Sequence, residues 1–335
     1  MSKDKTPRLM VIGSINIDLV ADVERLPREG ETVQALGFQQ HLGGKGANQA
    51  AVAALAGAES VLVGRVGDDV FGPQAVQGLE RAGVDCSLVT TAAGTPTGAA
   101  MITVGRRGEN TIVVVAGANG TLTAADVERA AAELARCDAV LMQFEVPDEV
   151  VLAAADAIAR LHGDEGDAGR APLFVLNPSP YRASAVPPPG TVDVLVVNEL
   201  EAQEMTGLPV ETAHDAAEAA RRLLRTLREG GHVVVTLGED GAVALSDDEE
   251  RTPLHIPAMN VQAVDTTGAG DTFTGALIRE LCAGRSMAEA LRFATAAAAV
   301  TVTRPGAQSS FPRRAEVEDM LARAPEAAPL DGPRR

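Results

Sequence analysis

Residues 9–18 read Leu-Met-Val-Ile-Gly-Ser-Ile-Asn-Ile-Asp. Four apolar residues run into a glycine, the pattern of a short strand buried on both faces. Two short polar side chains, Asn16 and Asp18, follow at once. Similar apolar runs recur at 61–64, 139–143, 173–176, 193–197, 233–237 and 242–245. Helical patterns lie between and after them, at 46–56, 69–82, 123–136, 147–161, 199–206, 215–229, 270–283, 287–301 and 314–322. Alternating strands and helices predict an α/β fold, a mostly parallel central sheet flanked by helices on both faces. Residues 32–40 and a hairpin at 98–104 and 111–115 break that rhythm. They are expected to form a small separate β-sheet, placed as a lid over a site. No internal repeat and no clean linker is evident, so one domain over 1–335 is expected, with lid strands from about 15–42 and 97–116. Residues 163–170 read as a surface insertion, and 324–335 as a frayed end.

The chain has 335 residues, 46% hydrophobic and 22% charged, ordinary for a folded protein. Aromatic residues are 2% with no Trp, so the core must be aliphatic. Lys and Arg number 29 against 46 Asp and Glu, a formal net charge of −17. That argues against nucleic-acid binding and against polybasic attachment to a membrane. It leaves an anionic small molecule open, because a local pocket can oppose the global charge. Cys86, Cys137 and Cys282 form no CxxC pair, which disfavours a disulfide framework or zinc site and fits a reducing cytoplasm. No apolar run approaches the ~18 residues of a membrane span, and the N-terminus lacks a signal-peptide pattern.

Three segments carry chemistry. Asn16 and Asp18 sit at a strand end, where α/β sheets bind ligands. Separated by one residue, they can point the same way toward sugar hydroxyls, or they can serve as turn residues. The second segment is Gly43-Gly44-Lys45-Gly46-Ala47-Asn48-Gln49-Ala50. Its glycines let backbone approach a ligand, and Lys45 and Asn48 share one side of the helix start. It lacks the spacing of a P-loop. The bland alternative is a glycine-rich helix start with a solvated lysine. The third is Asp265-Thr266-Thr267-Gly268-Ala269-Gly270-Asp271-Thr272-Phe273. Gly268, Ala269 and Gly270 present amides at a helix N-terminus, an anion site suited to a transferring phosphoryl group. Asp271 beside it can take a proton from an attacking hydroxyl, or merely compensate the helix dipole.

Taken together, GSINID, GGKGANQA and DTTGAGDTF resemble the ribokinase/pfkB family of carbohydrate kinases, over roughly residues 9–322. The later VTRPGAQSS, with GGKGANQA, points to the ribose-phosphorylating branch. The resemblance implies a three-layer sandwich with a β-lid, and homodimers joined through the lids. It implies phosphorylation of D-ribose at O5 by ATP. By position it assigns the sugar to Asn16, Asp18, Gly44, Lys45, Asn48, Glu145 and Asp271, the base also to Asp271, and the anion hole to Gly268, Ala269 and Gly270. It assigns the nucleotide to Asn198, Thr236, Gly238, Gly241, Gly270 and Thr295. Magnesium would accompany ATP, with Glu201 acting through water. Potassium would be held by Asp265, Thr267, Thr301, Arg304, Gly306 and Ser310. At Thr295 this chain departs from the Asn or His common in the family.

Three rivals remain. A sibling kinase would take deoxyribose, another sugar or a nucleoside. A sugar-binding regulator would usually have lost the base or the glycines, and this chain keeps both. A dinucleotide-dependent oxidoreductase would need GxGxxG after the first strand, and Gly13-Ser14-Ile15-Asn16 does not supply it.

Overall fold

The computed structural model describes residues 5–163, 171–248 and 251–330. The strands are β1 (Arg8–Ile12), β2 (Asn16–Val23), β3 (Ala35–Gly43), β4 (Glu59–Gly67), β5 (Val84–Ala92), β6 (Gly98–Gly105), β7 (Asn110–Val115), β8 (Ala139–Gln143), β9 (Leu173–Asn177), β10 (Val194–Asn198), β11 (His232–Thr236), β12 (Ala242–Ser246), β13 (Leu254–Ile256) and β14 (Ala328–Pro329). The helices are α1 (Lys45–Leu55), α2 (Phe71–Ala82), α3 (Ala124–Arg129), α4 (Ala131–Leu134), α5 (Asp148–Gly163), α6 (Glu199–Thr206), α7 (Ala213–Leu224), α8 (Ala269–Cys282), α9 (Met287–Val302) and α10 (Arg314–Leu321).

Among the described residues, the large sheet runs β14-β13-β12-β11-β10-β9-β8-β1-β4-β5. The pairings from β5 through β11 are parallel, and β12, β13 and β14 add an antiparallel edge. Period-two alternation sorts β1 between two cores. Leu9 and Val11 pack with α1, α2, α8, α9 and α10. Met10 and Ile12 pack with α3–α7 on the opposite face. The expected three layers are therefore present.

Chain order reverses at β1, with β4 on one side and β8 on the other. Such a switch point opens a crevice beyond the strand ends, where ligands bind in open α/β sheets. The smaller sheet, β3-β2-β6-β7, grows from that end of β1. The expected hairpin is β6 and β7.

Several expectations are corrected. Residues 16–23 form the central strand β2 of the small sheet, so Asn16 and Asp18 share one strand face rather than a turn. The strand expected at 32–40 is shifted to Ala35–Gly43. Strand β5 escaped the sequence reading because it is an edge strand of mixed polarity, only partly buried. The helix expected over 123–136 divides at Ala130 into α3 and α4. Of the expected frayed end, Ala328 and Pro329 pair with β13, while 331–335 lie outside the described residues. Of the insertion expected at 163–170, Gly163 ends α5 and 164–170 lie outside the described residues. Cys137 is buried, and Cys86 and Cys282 are partly so. Among the described residues no helix is long and apolar enough to cross a membrane.

Candidate active site

The start of α1 rests on the end of β1. A Cβ on Gly46 would stand 2.6 Å from the Gly13 backbone, and one on Gly44 2.7 Å from the Asn16 amide. Only glycine permits this contact, and Gly44 also has a φ of 89°. Ser14 Oγ donates to Glu145 Oε2 at 2.5 Å, and the Lys45 amide donates to the same oxygen at 3.0 Å. Glu145 thus closes the N-terminus of α1, a favourable place for a carboxylate. Lys45 is half-buried. Burial pulls its ammonium down, but the Asp271, Glu145 and Glu201 carboxylates outweigh it and hold the group above its ordinary value.

Asn119 aims Asn16. Its Oδ1 accepts from the Ile15 amide at 2.8 Å, which fixes which end of the side chain is oxygen. Its Nδ2 must then donate, to Ile15 O at 3.2 Å and Asn16 Oδ1 at 2.7 Å. Asn16 is left with its NH₂ group as the free end. Asp18 lies on the same face of β2. Burial, then the charges of Glu145 and Asp271, push its carboxyl up to about 6.

Asp271 stands in the first turn of α8 and is 8% exposed. Asn48 Nδ2 donates to its Oδ2 and Gln49 Nε2 to its Oδ1, each at 2.9 Å. The structure therefore joins Asn16, Asp18, Gly44, Lys45, Asn48 and Glu145 to Asp271 at the switch point. Gly268, with φ 76°, precedes α8. A Cβ there would meet the Phe311 ring at 2.8 Å. The Ala269 amide closes a turn onto Thr266 O at 3.2 Å. The amides of Gly270 and Asp271 keep no acceptor among the described residues, as expected at a helix start.

A cavity of about 660 Å³ opens on the other side of this turn. Thr236, Gly238, Gly241, Gly270 and Thr295 line it. Thr295 Oγ1 is buried there without a partner among the described residues. Gly241 has φ 93°, and a Cβ on it would strike Ile256 O at 2.0 Å. Asn198, at the end of β10, is not among the lining residues. It forms a reciprocal cap with Glu201: its Oδ1 accepts the Glu201 amide at 2.8 Å, and its own amide donates to Glu201 Oε2 at 3.0 Å. Burial raises the Glu201 carboxyl, only partly countered by Ser179, the Asn198 amide and Lys45.

The loops at 265–268 and 303–310 are joined through Asp265. Its Oδ1 accepts from Thr267 N at 2.9 Å and Thr267 Oγ1 at 2.6 Å, and its Oδ2 from Gly306 N at 2.8 Å. Burial works against ionisation, yet these bonds and His41 bring the carboxyl below its usual range. Ser310 Oγ donates to Ala307 O at 2.6 Å, and Thr301 Oγ1 lies 3.0 Å from Thr272 Oγ1. The Arg304 side chain pairs with Glu316 at 2.5 Å, so only its backbone carbonyl is available to this loop. Among the described residues no cluster of three His, Cys, Asp or Glu is arranged for a metal. A single carboxylate among carbonyl and hydroxyl oxygens suits a weakly hydrated monovalent cation rather than a divalent one.

Sequence reading missed Asn119, Gln49, Gln143 and Asn177. Gln49 lies inside the quoted glycine-rich motif. Gln143 and Asn177 end buried strands β8 and β9, and a polar residue closing an apolar run was the available signal.

The arrangement is a crevice beyond the end of β1 and a cavity of about 660 Å³, separated by one buried carboxylate and two open amides. The family model described as pfkB family carbohydrate kinase matches residues 6–314. The chain is 37% identical over 318 residues to a ribokinase of Haemophilus influenzae, covering 94% of this chain and 99% of that one. It is 35% identical over 315 residues to a deoxyribokinase of Salmonella typhimurium, covering 94% and 98%. The structure of Arabidopsis thaliana ribokinase complexed with ribose and ATP superposes with a TM-score of 0.81 at 33% identity, covering 95% of this chain and 99% of that one. A full-length family match, agreeing with a sheet switch point flanked by these motifs, leaves one conclusion: this chain belongs to the pfkB family of carbohydrate kinases.

Proposed function

We propose that this chain transfers the γ-phosphoryl group of ATP to the 5-hydroxyl of D-ribose. The observation that carries the reading is the place of Asp271. Its carboxylate meets Asn48 on the crevice side, while the preceding Gly270 lines the cavity. A hydroxyl in the crevice and a triphosphate in the cavity would meet there. Asp271 accepts the hydroxyl proton as the oxygen attacks phosphorus in line. The Gly270 and Asp271 amides, in the turn begun by Gly268 and Ala269, donate to the phosphoryl oxygens as charge moves onto them. Asn16, Asp18, Gly44, Lys45, Asn48 and Glu145 orient the pentose. Asn198, Thr236, Gly238, Gly241 and Thr295 bind the nucleotide.

Magnesium bound with ATP supplies charge neutralisation on the phosphate oxygens. Glu201, buried and with Oε2 taken by the Asn198 amide, fits a role through water rather than direct ligation. The Asp265 loops fit potassium, with Thr267, Thr301, Arg304, Gly306 and Ser310. Exposed apolar side chains of the small sheet, among them Phe38 at 66% and Val114 at 59%, support a homodimer through the lid. Cys86, Cys137 and Cys282 are far apart in sequence and form no CxxC pair, which fits a cytoplasmic setting.

A second reading, phosphorylation of 2-deoxyribose, is favoured by the similarity to a deoxyribokinase. ATP consumption across D-ribose, 2-deoxyribose, fructose, adenosine and uridine separates the two. Fast turnover with ribose alone supports the first. Preference for another acceptor keeps the phosphoryl chemistry and replaces the sugar. No turnover, with ribose binding seen by calorimetry, supports a binding-only regulator.

A further inference from the structure

Behind Asp271 lies a chain of amides, Gln49 and Gln143 fully buried and Asn177 half-buried, none of which lines the cavity. It begins at a backbone carbonyl, Val196 O, which can only accept. Asn177 Nδ2 donates to it at 2.9 Å. Asn177 Oδ1 is therefore the free acceptor, and Gln49 Nε2 donates to it at 2.9 Å. Gln49 Oε1 must then accept, and Gln143 Nε2 donates to it at 2.5 Å. The polarity of every amide is thus set from one carbonyl. The second hydrogen of Gln49 Nε2 goes to Asp271 Oδ1 at 2.9 Å. Gln49 and Gln143 are both fully buried. Among the described residues Gln143 Oε1 has no partner. A buried polar atom left unpaired is costly, and persists where the rest of its network requires that orientation.

We propose that Gln49 is a positioning residue for Asp271. Held by Gln143 and Asn177, it fixes the carboxylate plane and cannot rotate away. Asn48 does the same for the other oxygen. Each Asp271 oxygen keeps further lone-pair capacity for an acceptor hydroxyl. A carboxylate held by one donor alone would swing about χ2, and an error of about 1 Å can cost on the order of 10²-fold in rate. The inference rests on the reading of Asp271 as the base.

The test is steady-state kinetics, with the preferred acceptor of the panel, on Gln49→Met, Gln143→Met, the double variant and Asp271→Asn. Gln49→Met keeps length and removes the donor. Its kcat should fall about tenfold or more, with both KM values within about twofold of wild type. Gln143→Met should show a smaller loss, again in kcat alone. The double variant should be no slower than Gln49→Met, because both act through one contact. Gln49→Glu, which faces Asp271 with an oxygen, should be slower than Gln49→Met. Wild-type kcat in Gln49→Met overturns the inference, as does a loss confined to KM or an additive double. If Gln49→Met does not fold, Gln143→Met decides alone, by the same split of kcat from KM. Asp271→Asn separates the two failures. Slow Asp271→Asn with fast Gln49→Met refutes only the positioning; fast Asp271→Asn refutes the base itself.

Discussion

The side-chain amide of Asn48 lies 2.9 Å from Oδ2 of Asp271, although 223 positions separate the two residues. The bond joins the first turn of α1 to the first turn of α8. Gln308 Nε2 donates to Asn48 Oδ1 at 3.2 Å, so the amide is aimed from behind. Removing such a donor strands a buried acceptor, at a cost of about 1–3 kcal/mol. The contact therefore locks the two helix starts that flank the crevice.

Asp271→Asn keeps the shape of the side chain and removes the proton acceptor. Its kcat should drop by a factor on the order of 10² or more, with acceptor binding retained. Rapid-quench measurement of the first turnover checks this. A wild-type rate would remove Asp271 from the proposed role.

Asp18 has two pH signatures of opposite sign. Its carboxyl, ordinarily near 3.8, is pushed up to about 6 by burial and by neighbouring Glu145 and Asp271. Between those values the native state binds more protons than the unfolded one, so stability falls as pH rises. The contribution is fully present below the unfolded value and is gone once pH passes about 6. Ionised Asp18 accepts hydroxyl hydrogens at both oxygens, so acceptor affinity should rise through the same interval. Urea midpoints and acceptor KM from pH 4 to 8, wild type against Asp18→Asn, measure both. A pH-independent difference between the two proteins in each quantity would refute the assignment.

Asn119→Leu should weaken acceptor binding without touching the acceptor. The Ile15 amide and Asn16 Oδ1 lose their partner, and Asn16 can rotate its NH₂ group out of the crevice. The expected change is a rise in acceptor KM of about tenfold, matching one hydrogen bond of about 1.4 kcal/mol, with the ATP KM unchanged. An unchanged acceptor KM would show that Asn16 needs no such support.

Gly46→Ala tests the contact between α1 and β1. The new methyl would stand 2.6 Å from Gly13 backbone atoms, closer than any Cβ tolerates. Overpacking of this kind costs about 1–3 kcal/mol, and here it also moves Lys45 and Asn48. A lower urea midpoint with reduced activity is expected. Wild-type values for both would mean that the two backbones part easily.

Exchange of potassium for tetramethylammonium should lower kcat by about tenfold, if the Asp265 loops hold a cation that keeps the start of α8 in place. Asp265→Ala should abolish the response. Equal turnover in the two salts would exclude this role.

The central layer and its flanking helices were legible in the sequence. Short apolar runs ending in Gly, Gln or Asn mark parallel strands, because burial on both faces leaves no room for polar alternation. The family motifs marked Asn16, Asp18, Asn48 and Asp271 as one chemistry. Strands β2 and β5 were less legible. They lie in the small sheet and at an edge of the large one, and their partial burial gives a mixed pattern. The pairings within the positioning network were not legible, although Gln143 and Asn177 stand out as polar ends of apolar runs. Gln49 meets Gln143 across 94 positions and Asp271 across 222, and Asn119 meets Asn16 across 103. Burial leaves a periodic trace along the chain because each residue reports its own side of a helix or strand. A hydrogen bond between distant side chains leaves none, since its direction exists only once the sheet order has brought both ends together.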